Sequence, residues 1–382
     1  MTSRIFDIWR LFCSLFKGFD YLLVWSICLL TAAGLLIMYS TGDSNGSKLI
    51  DHLRNILIAT FILIIVAQVP PHRLIDFAVP VYVVGVGLLM AVAWFGITKK
   101  GAQRWLNVGI VLQPSEIFKI AVPLMLAWWF EKRQGEARSI DFLFAFLLLI
   151  FPVFLILKQP DLGTAILIMS GGVGVIFFAG LSWRWFFPLI IVALVTIILT
   201  IIFEPSLCQD GVRWVVLREY QQQRICTLLD PTRDPLGKGF HIIQGMIAIG
   251  SGGFWGKGLM QGTQNQLEFI PERTTDFIFA AFSEEFGFFG NLILVGGFIL
   301  LVLRGLCIAL EAPSLFSRLL AGGITVIFFT YTFVNIAMVT GVLPVVGVPL
   351  PFVSYGGTAM VTLGLGMGIL MSIAKSKQLN RS

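Results

Sequence analysis

The chain has 382 residues, of which 57% are hydrophobic and 13% charged, with a mean hydropathy of +0.89 and a formal net charge of +6. A soluble domain of this length cannot cover that much apolar surface, so the composition excludes an ordinary globular fold and selects a chain solvated by lipid. The positive charge is spread through short loops, which argues for membrane topology and against a nucleic-acid footprint.

Residues 1–20 precede the first long apolar run. Ile5, Trp9, Phe12 and Phe16 recur at helical spacing, with Arg10 and Lys17 seven apart. That pattern fits an amphipathic helix lying on the inner membrane surface; a frayed basic tail fits the same residues. The first run starts near Tyr21, has full spanning length and carries no small-residue cleavage pattern, so no cleavable signal peptide is expected.

About twenty apolar residues cross the hydrocarbon as a helix. Ten such runs follow in order, at roughly 21–40, 54–70, 77–95, 115–130, 142–157, 162–180, 185–203, 277–303, 319–340 and 354–374. Their continuity selects helices over an alternating barrel. The expected fold class is all-α: a polytopic membrane protein of about ten transmembrane helices, one integral membrane domain over 1–382. A large folded extracytoplasmic loop, residues 204–275, separates spans seven and eight.

Ten spans put both termini on one side. With the N-terminus inside, the inner segments hold Arg4, Arg10, Lys17, Arg73, Lys132, Arg133, Arg138, Arg184, Arg304, Arg318, Lys375, Lys377 and Arg381. The short outer loops hold only Lys48, Arg54, Lys99, Lys100, Arg104 and Lys158. The bias places both termini in the cytoplasm and the large loop on the opposite, extracytoplasmic side. Cys208 and Cys226 both fall in that loop, where an oxidising compartment permits a disulfide; the spacing alone leaves the pairing open. Cysteine spacing suggests no metal site, and no internal repeat of the transporter kind is visible.

The charged residues crowd the outer ends of the spans. Gly101-Ala-Gln-Arg104-Trp105 offers a cation and an aromatic. Gln113-Pro-Ser-Glu116-Ile-Phe-Lys119 opens the fourth span with two opposite charges on one helix face, either a structural ion pair or a direct site. Lys158-Gln-Pro-Asp161-Leu-Gly-Thr164 is a short turn whose Asp161 reads as a cap or as a substrate contact. Glu268-Phe-Ile-Pro-Glu-Arg273-Thr-Thr-Asp276 leads into the eighth span. Thr275 as N-cap with Asp276 in the first turn is an ordinary helix start. The same geometry keeps the carboxylate ionised at the membrane edge, where it can take a proton from a substrate hydroxyl. Glu284 and Glu285 lie two turns further on, to be neutral, paired or in a wet groove. Val348-Pro-Leu-Pro-Phe-Val-Ser354-Tyr-Gly-Gly reads as a rigid re-entrant approach to the last span, with Ser354 as its cap. No P-loop, GxSxG, HExxH or Rossmann fingerprint is present, which argues against nucleotide hydrolysis and dinucleotide redox chemistry.

These segments, together with Gly245-Met-Ile-Ala-Ile-Gly-Ser-Gly-Gly, resemble the SEDS family of RodA, FtsW and SpoVE from the first span to the last. Gln261-Gly-Thr-Gln-Asn-Gln and Gly341-Val-Leu-Pro-Val-Val-Gly are more similar to RodA, the elongation branch, than to the division branch. The resemblance implies a ten-span inner-membrane glycosyltransferase that polymerises lipid II on the outer face for cell elongation and rod shape. It implies a class B penicillin-binding transpeptidase as partner, within a complex of elongation proteins and membrane lipids. It assigns the essential aspartate to Asp276 and the intramembrane pair to Glu116 and Lys119. Thr274 and Phe286 depart from the family pattern, and a Cys208–Cys226 pair is not part of it.

The expected chemistry is inverting transfer with Asp276 as general base. Arg104, Lys119, Arg213, Arg224 or Arg273, or a divalent cation such as Mg²⁺ or Mn²⁺, would offset the charge on the departing pyrophosphate. The sequence offers no firm metal-ligand set. Two other classes remain open at this level: a flippase for lipid-linked precursors, which needs polar lining through both leaflets, and a scaffold without catalysis, in which Asp276 and Glu116 would tolerate neutral substitution.

Overall fold

The computed structural model describes residues 18–42, 46–99, 102–107, 111–133, 138–209, 212, 214, 219–233, 237–267, 269 and 272–379. Arg213 and nearly all of the expected interfacial helix lie outside the described residues.

The helices follow the apolar runs in order: α1 (Tyr21–Thr41), α2 (Ser47–Ala67), α3 (Pro71–Phe95), α4 (Pro114–Glu131), α5 (Ser139–Lys158), α6 (Leu162–Phe178) and α7 (Phe186–Ile202). The large loop then folds into four shorter helices, α8 (Glu204–Leu207), α9 (Glu219–Leu229), α10 (Lys238–Ser251) and α11 (Thr263–Gln266). Three long helices close the chain: α12 (Ile278–Leu310), α13 (Leu315–Val339) and α14 (Gly357–Leu379). Among the described residues, eight helices are long and apolar enough to cross a membrane. The other two long ones are the compromised pair: α6 has only 17 residues, and α4 carries Glu116, Lys119 and Glu131.

The bundle is all-α as expected, with one short sheet in a connecting segment. Between α3 and α4 the chain forms a small antiparallel sheet of β1 (Ile97–Lys99), β2 (Ala102–Asn107) and β3 (Val111–Leu112), with Ile97 opposite Trp105 and Leu106 opposite Leu112. It stands Arg104 over the ends of the spans.

Helices α13 and α14 form the centre, and 78% and 67% of their spanning windows are buried. Close approach there is made by glycine. Gly171 of α6 and Gly323 of α13 face each other, each with a would-be Cβ 3.4 Å from the other's carbonyl oxygen. Gly364 of α14 lies directly on the Ala59 carbonyl of α2, where a Cβ would sit at 2.4 Å. Small residues let backbones touch where no hydrophobic force drives helices together in lipid. By contrast, none of the described side chains of α7 is buried.

Helix α12 is 33 residues long and is broken at Gly287 (φ 65°, ψ −162°). About 50 Å of straight helix would overrun the roughly 30 Å hydrocarbon layer. The break admits a loop: Lys257 N and Gly258 N donate to the carbonyls of Glu284 and Glu285, and Phe288 N and Phe289 N donate to those of Gly253 and Phe254. Backbone groups freed by the break are thereby satisfied inside the protein. Glu284 is paired: its Oε1 takes Lys257 Nζ at 2.6 Å, Thr263 Oγ1 at 3.0 Å and Gln264 N at 3.0 Å. Glu285 accepts from Ser40 Oγ and from Met260 N. Of the three alternatives for these carboxylates, pairing is the one observed.

Candidate active site

Helix ends and the segments that join them line a cavity of about 370 Å³ at one end of the bundle. Its wall includes Arg104, Trp105, Gln113, Glu116, Lys119, Asp161, Glu272, Thr275, Asp276, Tyr331, Gly347 and Tyr355. Five residues singled out from sequence therefore meet in one place: Asp276, Arg104, Glu116, Lys119 and Asp161.

Asp276 is placed by its backbone. Helix α12 begins at Ile278 after Phe277 as N-cap, so Asp276 sits in the turn before the helix, not in its first turn. This corrects the helix-start expectation, and Thr275 is not the cap: its hydroxyl donates to Glu272 Oε2 at 2.8 Å. The turn is held from three sides. Asn335 Nδ2 donates to the Asp276 carbonyl at 3.0 Å and to that of Val348 at 2.7 Å. Ser354 Oγ accepts from Leu350 N and donates to the Thr275 carbonyl at 2.6 Å. Tyr355 N donates to the Thr274 carbonyl at 2.9 Å. Ser354 is thus a lock between two loops and not the cap of α14, which starts at Gly357. Gly347 (φ 76°) borders the carboxylate, where a Cβ would lie 3.4 Å from Asp276 Oδ2.

The cations come from other elements. Arg104 donates to the carbonyls of Gln159 and Pro160 and lies 3.7 Å from Asp161. Asp161 caps α6 through Thr164 N and accepts from Gln113 Nε2 at 2.8 Å and Ser115 Oγ at 3.3 Å. It is both cap and cavity wall. Lys119 pairs with Glu116 at 2.5 Å and bonds the Tyr331 hydroxyl, while Thr362 Oγ1 donates to Glu116 Oε2 at 2.9 Å. Both charges are buried. Arg224 on α9 is close enough for its charge to couple to Arg104, Asp161 and Asp276; burial first, then the adjacent Arg104, pulls its guanidinium below the ordinary value. Arg273 is not in the wall. Its Nε donates to the Thr41 carbonyl at 3.2 Å, tying the turn to the end of α1. Tyr331 and Asn335 were missed from sequence. The signal was present, because a polar Tyr-Thr-Phe-Val-Asn stretch inside an apolar span is unusual.

Among the described residues no three or more His, Cys, Asp or Glu side chains form a metal-binding group. Asp161 is bonded to Gln113, Ser115 and Thr164, and Glu116 to Lys119 and Thr362. These residues do not fit a protein-built cage for Mg²⁺ or Mn²⁺. Cys208 and Cys226 form a disulfide.

The helical bundle that carries this cavity has known relatives. A family model described as a cell cycle protein, covering FtsW, RodA and SpoVE, matches residues 14–379. The chain belongs to this family. It is 48% identical over 358 residues to the peptidoglycan glycosyltransferase MrdB of Escherichia coli strain K12, covering 93% of each chain. It is 32% identical to the peptidoglycan glycosyltransferase RodA of Treponema pallidum, over 94% of this chain and 98% of that one. Among solved structures, one reported for the coordination of polymerisation and crosslinking by a peptidoglycan synthase complex matches with a TM-score of 0.76 at 31% identity, covering 94% and 99%. The rod shape determining protein RodA of Thermus thermophilus matches with a TM-score of 0.68 at 25% identity, covering 94% and 98%.

Proposed function

We propose that Asp276 is the general base of a lipid II polymerase whose cavity opens on the periplasmic face. The chain is a peptidoglycan glycosyltransferase of cell elongation, an integral protein of the bacterial inner membrane. The observation that carries the mechanism is the meeting of Asp276 with Arg104 and Lys119 on the wall of one cavity.

The acceptor sugar lies with its 4-hydroxyl against Asp276. The carboxylate takes that proton, and the freed oxygen pair attacks C1 of the donor sugar from the face opposite the pyrophosphate. The C1–O bond to pyrophosphate breaks and its electron pair leaves with the polyprenyl pyrophosphate, so an α-linked donor gives a β-1,4 product. Pyrophosphate is a good leaving group, and the second carboxylic acid that glycosidases use is dispensable here. Arg104, Lys119 and Arg224 offset the charge that builds on the departing phosphates. No step is routed through a metal.

The loop-charge bias supports cytoplasmic termini and a periplasmic site. A flippase would need polar lining through both leaflets, whereas the charged wall of this cavity is gathered at one end of the helices. The likeness to a complex of polymerisation and crosslinking supports a class B penicillin-binding transpeptidase as partner, with further elongation proteins around it.

The test is polymerisation of labelled lipid II by the purified protein with its transpeptidase. Wild type is expected to make glycan strands, and Asp276→Asn to make none while still binding lipid II. Normal strand synthesis by the variant would refute the base assignment.

A further inference from the structure

Helix α9 is fastened to α8 by two separate ties. Cys226 is joined to Cys208 by a disulfide, with Cα atoms 5.7 Å apart. Gln222, one turn earlier and buried, donates from Nε2 to the Val212 carbonyl at 2.7 Å and to the Leu207 carbonyl at 3.5 Å, and its Oε1 accepts from Trp214 N at 3.2 Å. Leu207 and Cys208 are neighbours at the end of α8, so both ties anchor α9 at one point.

Arg224 lies between the two ties. Its Nε and Nη1, and the hydroxyl of Tyr220 four residues earlier, are closed to solvent and have no hydrogen-bond partner among the described residues. Residues four apart share a helix face, and the guanidinium carbon lies 5.9 Å from the Tyr220 ring centroid. Buried donors without acceptors are costly. The groups left over are donors, and the charge of Arg224 couples to Arg104, Asp161 and Asp276 of the cavity. The partner they lack is an anion with several oxygens.

We propose that the Cys208–Cys226 disulfide is a positioning device for the polymerisation site: it holds α9 so that Arg224 and Tyr220 present their free donors to the pyrophosphate oxygens of the lipid-linked sugar. This rests on the lipid II reading above. With the disulfide opened, α9 loses its covalent tie to α8 and is left with hydrogen bonds such as those of Gln222, which are exchangeable with water. Opening it takes two electrons and two protons from a dithiol, which becomes its own disulfide while Cys208 and Cys226 become thiols.

The experiment uses the complex with its transpeptidase and reads two quantities, lipid II binding by the Asp276→Asn variant and the kinetics of the active protein. Reduction with dithiothreitol, or the double substitution Cys208→Ser and Cys226→Ser, is expected to weaken lipid II binding about tenfold. In the active protein kcat/KM falls by at least the same factor, because Arg224 also meets the charge on the departing phosphates. Arg224→Ala, which keeps the disulfide, weakens binding equally, reduction adds nothing to it, and Arg224→Lys restores part of the loss. Unchanged binding on reduction, or a reduction effect that adds in full to Arg224→Ala, overturns the proposal. Strand synthesis by Asp276→Asn would sink the base assignment alone, because the binding comparison judges the disulfide independently.

Discussion

Asn335 does at residue scale what no charged residue of the site does: it holds two loops from one buried amide. Its Nδ2 bonds the carbonyls of Asp276 and Val348, which belong to two different loops. Asn335→Ala leaves both buried carbonyls short of a donor, at a cost of about 1–3 kcal/mol. If that shifts Asp276 by even a fraction of an ångström, polymerisation should fall by about tenfold or more with lipid II binding largely kept, as strand-synthesis and binding assays would show. Glu116 and Lys119 pose a different question, since a buried ion pair is weak support for stability but costly to break. Lys119→Met alone strands a buried carboxylate and should lower stability by about 3–5 kcal/mol. The Glu116→Gln, Lys119→Met double variant should recover most of that in a thermal-shift measurement. Activity that stays low in the stable double variant would show Lys119 serving the substrate as well as the fold.

At the scale of elements, the broken helix α12 is the main device. The 253–258 loop fills the break and turns the polar ends of both half-helices into a hydrogen-bonded junction. Gly256 (φ 80°) is the tightest point: a Cβ there would lie 2.1 Å from the Glu285 carbonyl oxygen. Gly256→Ala must push the loop out of the break, freeing backbone groups of Glu284–Phe289. The expected result is a lower melting temperature and lower polymerisation together, measured on the detergent-solubilised complex. The break was not legible in sequence, because Gly287 sits in an apolar run with many other glycines. Glu284 and Glu285 were conspicuous there, yet their partners lie 20 or more residues away in the chain, on α1 and in a loop whose docking sequence alone does not disclose.

For the whole molecule, the bundle puts the loop segments that carry the site at one end and the Asp20–Arg304 and Glu311–Lys377 pairs at the other. The topology reading makes these ends periplasmic and cytoplasmic. A cysteine placed by Gln261→Cys in a cysteine-free background should be labelled by an impermeant reagent from the periplasm, and one placed by Ser182→Cys only from the cytoplasm. Labelling with the sides exchanged would overturn the orientation.

The sequence by itself determined that the chain enters a membrane, where its ten long helices run, and which residues are too costly to lie in lipid without a reason. These are local properties: transferring about twenty apolar residues into hydrocarbon decides a span with no reference to the others. Tertiary structure alone decided which charges meet. Thr362 reaches Glu116 across 246 residues and Arg273 reaches Thr41 across 232. Such contacts depend on how glycine-lined helices pack and where the large loop folds back. The same packing separated Arg273 and Ser354, which brace the turn, from Asp276, Arg104 and Lys119, which face the cavity. It also made the disulfide that sequence had left open, because Cys208 and Cys226 meet only when α8 and α9 dock.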